Sequence, residues 1–274
     1  MTRLVHPSRA IVDVVAIVIS VQVLAACVAA AGPGRSGAGR ELTIFAAASL
    51  KLPIEAAADA FEAAHPGVTI RLSLDSSAAL RTQIEQGAPA DLFLSADTAN
   101  PEHLAAAAMT DGAPRPFAGN GLAIVVPGDG RSPVRTPADL AADGVELIAA
   151  GTEVPITVYA DELIGRLGAL PGYPDDFADR CAANIVSRED NVKAVIAKVE
   201  LGEGDAGIVY RTDALASSKV DTVELPAGVE IVVTYAGVAI VGSPAIEEAR
   251  SFLDWLVGPD GQAILASAGF VAAP

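Results

Sequence analysis

The residues of this sequence best suited to bind a small ligand lie where predicted strands pass into predicted helices. Ser49 follows the apolar run 43–48, and Ser77 follows the predicted strand 68–74 after a short turn. A serine at a helix start most often only caps the helix, which stabilises it by about 1 kcal/mol. Its hydroxyl can also donate a hydrogen bond to a bound oxygen atom. Both serines are therefore candidate ligand donors.

Two further junctions offer backbone N–H groups. Residues 153–156 open a helix with Pro155 in its first turn, and residues 187–192 open another with a capping-box pattern from Ser187 to Asp190. The first N–H groups of a helix have no partner within it and lie at the positive end of its dipole. Four such junctions, facing one another, predict a cage of uncharged donors for a small anion. Several charge-assisted hydrogen bonds, each worth about 1.5–3 kcal/mol, would offset the cost of removing that anion from water.

Short apolar strands alternate with amphipathic helices from Glu41 onward, which is typical of an α/β protein with mainly parallel sheets. The pattern predicts two βα halves with a cleft between them, where strand ends and helix N-termini meet. The predicted strands are 42–46, 68–74, 91–95, 121–127, 146–150, 184–186, 206–210 and part of 229–241. The predicted helices are 50–64, 77–86, 101–109, 137–142, 155–167, 189–201, 244–257 and 260–268.

The composition excludes other classes of function. The chain has 274 residues, with 18 Lys and Arg against 34 Asp and Glu, a net charge of -16 and 4% aromatic residues. Such a chain lacks the basic surface and the stacking platforms that nucleic-acid binding requires. Two cysteines cannot form a four-ligand zinc site, and Cys181 is expected to be a small buried residue.

The N-terminal segment is typical of a bacterial lipoprotein signal peptide over 1–26. Arg3 and Arg9 precede an apolar run that ends in small residues before Cys27. Cleavage there would leave the Cys27 thiol to carry a diacylglyceryl group, with 27–40 as a Gly/Ser-rich flexible tether. The alternative is an uncleaved membrane helix over 10–31. Both interpretations place the rest of the chain outside the cytoplasm.

Three motifs resemble the periplasmic molybdate-binding proteins of ABC importers. They are FAAASL at 45–50, QIEQGAPADLFLSAD at 83–97 and GIVY at 207–210, and the similarity runs in order from Glu41 to Phe270. The resemblance implies an α/β fold of two lobes, the type II periplasmic-binding-protein fold. Lobe 1 would comprise 41–119 and 236–274, and lobe 2 would comprise 120–235. Each lobe would be a mixed sheet flanked by helices, with the ligand in the cleft.

The same resemblance implies a solute-binding protein, not an enzyme, that captures molybdate and also tungstate. It would use no cofactor, act as a monomer and deliver the anion to a membrane permease driven by an ATPase. A lipid on Cys27 would hold it at the outer face of the cell membrane, in the periplasm if the cell has one.

The resemblance also implies ligand-binding roles for five residues. Ser49 and Ser77 match two serines that donate from the first lobe, and Tyr210 matches a tyrosine whose hydroxyl completes the cage. Ile156 and Val192 match positions whose backbone N–H groups donate. Molybdenum would be present only within the bound oxyanion.

Three positions depart from the family pattern. Asp75 stands where a small residue is common, and its carboxylate would repel a dianion, so we expect it to turn to solvent or to another donor. Ile156 replaces a smaller residue, and Thr157 replaces a usual glycine, which leaves the geometry of that loop open.

Three alternative functions remain open. The site could take another tetrahedral oxyanion such as sulfate or phosphate, although a cage of donors alone cannot satisfy the proton of hydrogen phosphate. Ser49 or Ser77 could serve a serine hydrolase, but no G-x-S-x-G motif is present, and His65 and His103 are expected at the surface. A tethered sensor that docks on a signalling partner is the third alternative.

Overall fold

The structure, a computed structural model, describes residues 40–274 and contains two five-stranded sheets. Residues 1–39 lie outside it, and with them the predicted signal peptide, Cys27 and nearly all of the tether. The strands are β1 Arg40–Ala47, β2 Val68–Asp75, β3 Leu92–Ser95, β4 Thr110–Asn120, β5 Leu122–Pro127, β6 Leu147–Ala150, β7 Ile185–Glu189, β8 Ala206–Tyr210, β9 Val220–Val223 and β10 Val233–Ile240.

Helices flank both sheets. The α-helices are α1 Lys51–Ala64, α2 Ser77–Glu85, α3 Ala99–Ala106, α4 Pro155–Gly168, α5 Phe177–Ala183, α6 Val192–Leu201, α7 Arg211–Leu215, α8 Ile246–Val257 and α9 Pro259–Ser267. Short 3-10 helices cover Ala48–Leu50 and Pro137–Ala141. Of the described helices, none combines the length and the apolar character needed to cross a bilayer.

Each sheet mixes parallel and antiparallel pairs. The first has the order β2-β1-β3-β10-β4, in which β1 pairs in parallel with β2 and β3, and β10 runs antiparallel to β3 and β4. The second has the order β7-β6-β8-β5-β9, with β6 parallel to β7 and β8 and with β5 antiparallel to β8 and β9. The predicted α/β architecture of two mixed sheets with helices is confirmed, but the expectation of mainly parallel sheets is wrong, because each sheet has two parallel and two antiparallel pairs.

The chain passes between the two sheets twice. It leaves the first sheet at Asn120, where β4 ends, and enters the second at Leu122. It returns between Val223, at the end of β9, and Val233, at the start of β10. Asn120 and the first three residues of β10 thus belong to the first sheet, although the sequence-based division assigned them to lobe 2.

Two motif residues hold these elements in place. In β8, a Cβ added to Gly207 would lie 3.0 Å from the Ile148 carbonyl oxygen and 3.1 Å from a Val195 methyl group. Glycine therefore lets α6 pack tightly on this strand. Asp91, from the GAPAD motif, accepts hydrogen bonds from the Thr43 backbone N–H at 2.7 Å and the Ser243 hydroxyl at 2.5 Å. This aspartate is a structural residue that ties β1 to the end of β10.

Four elements were missing from the sequence-based prediction: β4, β9, α5 and α7. β4 carries Gly112, Pro114, Pro116 and Gly119, which normally argue against a strand. It forms the edge of the first sheet, where a proline needs no partner on its open side. Cys181 lies in α5, fully buried as expected, and burial raises the pKa of its thiol to about 11.

The predicted capping box from Ser187 to Asp190 is wrong. Strand β7 continues through Glu189, so the Ser187 hydroxyl bonds to the Glu189 carboxylate at 2.5 Å instead of capping a helix. Asn191 caps α6, and its side-chain oxygen accepts from the N–H groups of Lys193 and Ala194. The helix consequently begins at Val192 and not at Glu189.

Candidate functional site

A small hollow lies between the two sheets, where several helices begin. Its volume is about 10 Å³, close to the space that a single water molecule needs. Ser49, Ser77, Val192 and Tyr210, four of the five predicted site residues, line it together. The remaining lining residues are small, apolar or neutral: Ala47, Ala48, Ser76, Ala96, Val154, Pro155 and Asn191.

Lobe 1 contributes two buried hydroxyl groups to this hollow. Ser49 follows β1 within the short 3-10 helix that leads into α1, and it is 4% exposed. Ser77 is the first residue of α2 and is 1% exposed. The Ser77 oxygen accepts a hydrogen bond of 3.0 Å from the Ala96 backbone N–H, which leaves the Ser77 proton for another acceptor.

The cap of α2 is Ser76 and not Ser77. The Ser76 hydroxyl oxygen accepts from the Ala79 N–H at 3.3 Å, so the capping function is filled by the neighbouring serine. Ser77 is therefore free of that role. Its own backbone N–H belongs to the first turn, where no intrahelical partner exists.

Lobe 2 contributes mainly backbone groups. Val192 is the first residue of α6, and its N–H donates to no backbone or side-chain acceptor among residues 40–274. Pro155 is the first residue of α4, as predicted, and Ile156 is the second. Ile156, the fifth predicted site residue, does not line the hollow; its side chain is 1% exposed and packs in the apolar interior of lobe 2.

The loop before α4 is closed by Thr157, which stands in place of the glycine usual in the resembling family. The Thr157 hydroxyl donates to the carbonyl oxygens of Gly151 at 2.7 Å and Ala150 at 3.2 Å. These two bonds tie the first turn of α4 to the end of β6. The threonine thus holds the loop in a defined position without an unusual backbone conformation.

Tyr210 ends β8 and brings its hydroxyl to the hollow. The side chain is 2% exposed, and within the described chain its hydroxyl has no hydrogen-bond partner. Burial raises the pKa of Tyr210 well above 10, so the group remains a neutral donor. A buried hydroxyl without a partner costs about 1–3 kcal/mol, which a bound oxygen atom would recover.

Sequence reasoning missed two polar residues behind Ser49. The Tyr235 hydroxyl lies 3.0 Å from the Ser49 hydroxyl, and the Asn120 side-chain nitrogen donates to Tyr235 at 3.3 Å. Asn120 ends β4 and Tyr235 lies in β10, so both belong to strands next to the passages between the sheets. No local sequence pattern marks either residue, because only the fold brings them to Ser49.

Within the described part of the chain, no charged side chain lines the hollow. Lys193, next to Val192 in sequence, places its ammonium nitrogen 2.6 Å from a carboxylate oxygen of Asp213, which is fully buried. Burial raises the pKa of Asp213, and the attraction of Lys193 opposes that shift. Lys193 is therefore engaged elsewhere, and the lining residues among 40–274 offer an anion neutral donors and helix dipoles.

Charged groups gather in a larger space of about 620 Å³ that Ser76 and Asn191 also line. It is bordered by Asp75, Glu153, Asp190 and Arg81. Asp75 accepts a hydrogen bond of 2.7 Å from the Ser76 backbone N–H. The expectation that this carboxylate turns to another donor is confirmed, and it does not line the hollow.

The surroundings of the two serines disagree with hydrolase chemistry. Neither His65 nor His103 lines the hollow. His65 is half-buried and stacks on Phe61 with ring centroids 3.8 Å apart, so the expectation of a surface position is only partly met. His103 is exposed and lies 3.2 Å from Glu85. Neither histidine within residues 40–274 is therefore placed to act as a general base for Ser49 or Ser77.

Comparison with known proteins gives a consistent result. Residues 42–271 match the family model of bacterial extracellular solute-binding proteins. The molybdate-binding protein ModA of Mycobacterium tuberculosis is 34% identical over 241 residues, covering 88% of this chain and 87% of its own. YvgL of Bacillus subtilis, whose name describes an ABC transporter substrate-binding lipoprotein, is 35% identical over 239 residues, covering 84% and 86%.

Two solved structures extend the comparison. The substrate-binding domain assigned to a molybdenum ABC transporter from Clostridium difficile is 29% identical with a TM-score of 0.63, covering 85% of this chain and 99% of its own. The sulfate-binding protein SubI of M. tuberculosis has a TM-score of 0.74 at 22% identity, covering 84% and 86%, a likeness of fold alone.

Proposed function

The chain belongs to the bacterial extracellular solute-binding proteins, and we propose that it captures molybdate, and tungstate equally, for an ABC importer. The relatives named for molybdate match it along most of its length. The anion would lie in the hollow between the lobes, bound by the hydroxyls of Ser49, Ser77 and Tyr210 and by the backbone N–H groups of Ile156 and Val192. The protein would then pass it to a membrane permease driven by an ATPase.

The observation that carries this proposal is the Tyr210 hydroxyl. It is fully buried, lines the hollow beside Ser49 and Ser77, and has no partner within residues 40–274. A neutral donor left in such a position favours a ligand that brings acceptor oxygens and no proton. Molybdate, tungstate and sulfate are such ligands, and hydrogen phosphate is not.

Size would separate these anions further. Sulfate has the charge and shape of molybdate but is smaller, so lobes closing to a fixed spacing would leave some donors too far from its oxygens. Tungstate is nearly as large as molybdate and would bind comparably. The hollow offers no side-chain cation that could hold a misfitting anion by charge alone.

Calorimetry of the mature protein with molybdate, tungstate, sulfate and phosphate in turn tests the function. We expect tight binding of the first two, weaker sulfate and the weakest phosphate. Molybdate at about 1,000 times its dissociation constant should stabilise the fold by about 4 kcal/mol, seen as a higher melting temperature. Ser251→Ala, at an exposed position of α8, should behave like the wild type. Tight sulfate binding without molybdate binding would assign the protein to sulfate instead.

We also infer that the protein acts as a monomer, outside the cytoplasm and anchored by a lipid on Cys27. The signal-like segment before Cys27 supports this, as does the lipoprotein named among its relatives. Cys27→Ala should move the protein from the membrane fraction to the soluble fraction of the cell without altering molybdate affinity. Retention of this variant in the membrane would favour an uncleaved N-terminal helix.

A further inference from the structure

Behind Ser49 runs a chain of buried hydrogen bonds that we call the relay, made of Asn120, Tyr235 and Ser49. The Asn120 side-chain nitrogen lies 3.3 Å from the Tyr235 hydroxyl, and that hydroxyl lies 3.0 Å from the Ser49 hydroxyl. All three residues are buried, at 0%, 0% and 4% exposure. The direction of each bond decides whether Ser49 presents a proton or a lone pair to the hollow.

The Asn120 end of the relay has a fixed direction. Its side-chain oxygen accepts a hydrogen bond of 2.9 Å from the Gly121 backbone N–H, which can only donate. The amide nitrogen must therefore be the atom that faces Thr212 at 2.9 Å and Tyr235 at 3.3 Å. Both of its protons are used, one on each hydroxyl oxygen. Asn120 consequently acts as a donor to Tyr235.

The Tyr235 hydroxyl then has one possible acceptor for its proton. Within the described chain it contacts only Asn120, a donor, and Ser49, so its proton must go to the Ser49 oxygen or remain unbonded in a buried position. Burial raises the pKa of Tyr235 well above 10, so the proton is present. Ser49 receives this bond, and its own proton faces the hollow.

The Tyr235 ring cannot easily turn away from this position. It makes edge contacts with Tyr210, Phe270 and Phe117, with ring centroids 5.6, 5.3 and 6.2 Å apart. These rings come from β8, the C-terminal segment and β4, so both lobes hold the tyrosine. The hydroxyl is thereby presented to Ser49 in one orientation.

We propose that Asn120 and Tyr235 are specificity-determining positioning residues that make Ser49 an obligatory donor and so reject anions that carry a proton. The inference rests on the proposed function, in which the hollow takes a tetrahedral oxyanion. Ser77 shows the same arrangement in simpler form, because the Ala96 backbone N–H occupies its oxygen. The Ala96 backbone N–H thus directs the proton of Ser77, and the relay directs the proton of Ser49.

Two variants test the relay by opposite routes. Tyr235→Phe removes the donor to Ser49, so the serine can rotate and accept a proton from the ligand. Asn120→Asp reverses the relay: the carboxylate accepts the Tyr235 proton, Tyr235 accepts from Ser49, and Ser49 presents a lone pair to the hollow. Tyr173→Phe, in an aromatic pair with Phe177 in lobe 2, is the matched control.

The measurement is the ratio of dissociation constants for phosphate and molybdate by calorimetry at about pH 8, where phosphate is mainly the singly protonated dianion. The wild type should strongly prefer molybdate. We expect Tyr235→Phe to reduce the ratio at least tenfold and Asn120→Asp to reduce it further. The added carboxylate repels both dianions, and this repulsion cancels in the ratio. Tyr173→Phe should leave the ratio unchanged.

The outcomes separate the two proposals. A wild type that does not bind molybdate refutes the proposed function. A wild type that binds it, with an unchanged ratio in folded Tyr235→Phe, refutes the relay and leaves the function standing. If Asn120→Asp fails to fold, Tyr235→Phe decides alone, because it keeps the aromatic ring in place. A loss of affinity that is equal for both anions would assign Tyr235 a purely structural role.

Discussion

The two lobes meet at the hollow with different chemistry. Lobe 1 brings hydroxyl groups with a partner behind each: the Ala96 N–H donates to the Ser77 oxygen, and the Tyr235 hydroxyl, which we propose as the donor, lies 3.0 Å from the Ser49 hydroxyl. Lobe 2 brings the first N–H group of α6 and Tyr210, whose hydroxyl has no partner within residues 40–274, and we propose the Ile156 N–H of α4 as a further donor. A backbone N–H remains when the side chain of its residue is replaced, whereas a hydroxyl donor is lost with its side chain. The comparison predicts that most substitutions in the hollow are costly in lobe 1 and tolerated in lobe 2.

The largest effect should come from removing a backbone donor of lobe 2. Val192→Pro deletes the first N–H of α6 at a position where proline suits a helix, and Asn191 before it is already extended, with φ -158° and ψ 168°. We expect molybdate affinity to fall by about 2–3 kcal/mol, roughly 30- to 150-fold, by calorimetry. Val192→Ala keeps the N–H and should bind within about threefold of wild type. Equal affinities for the proline and alanine variants would remove this amide from the site.

Next in size is the loss of a lobe 1 hydroxyl. Ser77→Ala should weaken molybdate binding by about 1–3 kcal/mol, because one donor to the anion disappears. Ser76→Ala is the matched control, since Ser76 also lines the hollow but its hydroxyl oxygen caps α2. Ser76→Ala should reduce the free energy of unfolding by about 1 kcal/mol and so lower the melting temperature. Its molybdate affinity should change less than that of Ser77→Ala. If the control weakens binding more than Ser77→Ala, the assignment of the two serines is reversed.

Tyr210→Phe should separate binding from stability. The variant loses a donor, so molybdate affinity should fall by about 1–1.5 kcal/mol. The ligand-free protein should become more stable, because a buried hydroxyl without a protein partner is gone. Calorimetry and thermal unfolding without ligand measure the two effects. A less stable ligand-free variant would contradict the view that this hydroxyl is kept for the ligand.

The smallest effect on binding is expected for a lobe 2 side chain. Ile156 packs into the interior of lobe 2, and only its N–H is assigned to the ligand. Ile156→Val should cost about 0.5–1.5 kcal/mol of stability and change molybdate affinity by less than about twofold. A large change in affinity with little loss of stability would show that this side chain shapes the hollow after all.

Parts of this arrangement could be predicted because they depend on local patterns. The strands and the starts of α2 and α4 follow from apolar runs, from Pro155 and from the serines near Ser77. The start of α6 was predicted three residues too early. The end of β7 and the start of the helix lie in one polar stretch, and the residue that caps the helix is Asn191 and not Ser187. β4 was missed because its prolines are acceptable only at a sheet edge, a property of the fold.

The sequence by itself determined that donors gather at helix starts and that the chain, with its excess of carboxylates, offers few cations to an anion. Tertiary structure alone decided which donors share a hollow, that Asp75 and Lys193 are engaged elsewhere, and that Tyr235 stands behind Ser49. The physical reason is that a hydroxyl has no preferred direction of its own. Whether Ser49 gives or accepts a proton depends on a partner 186 residues away.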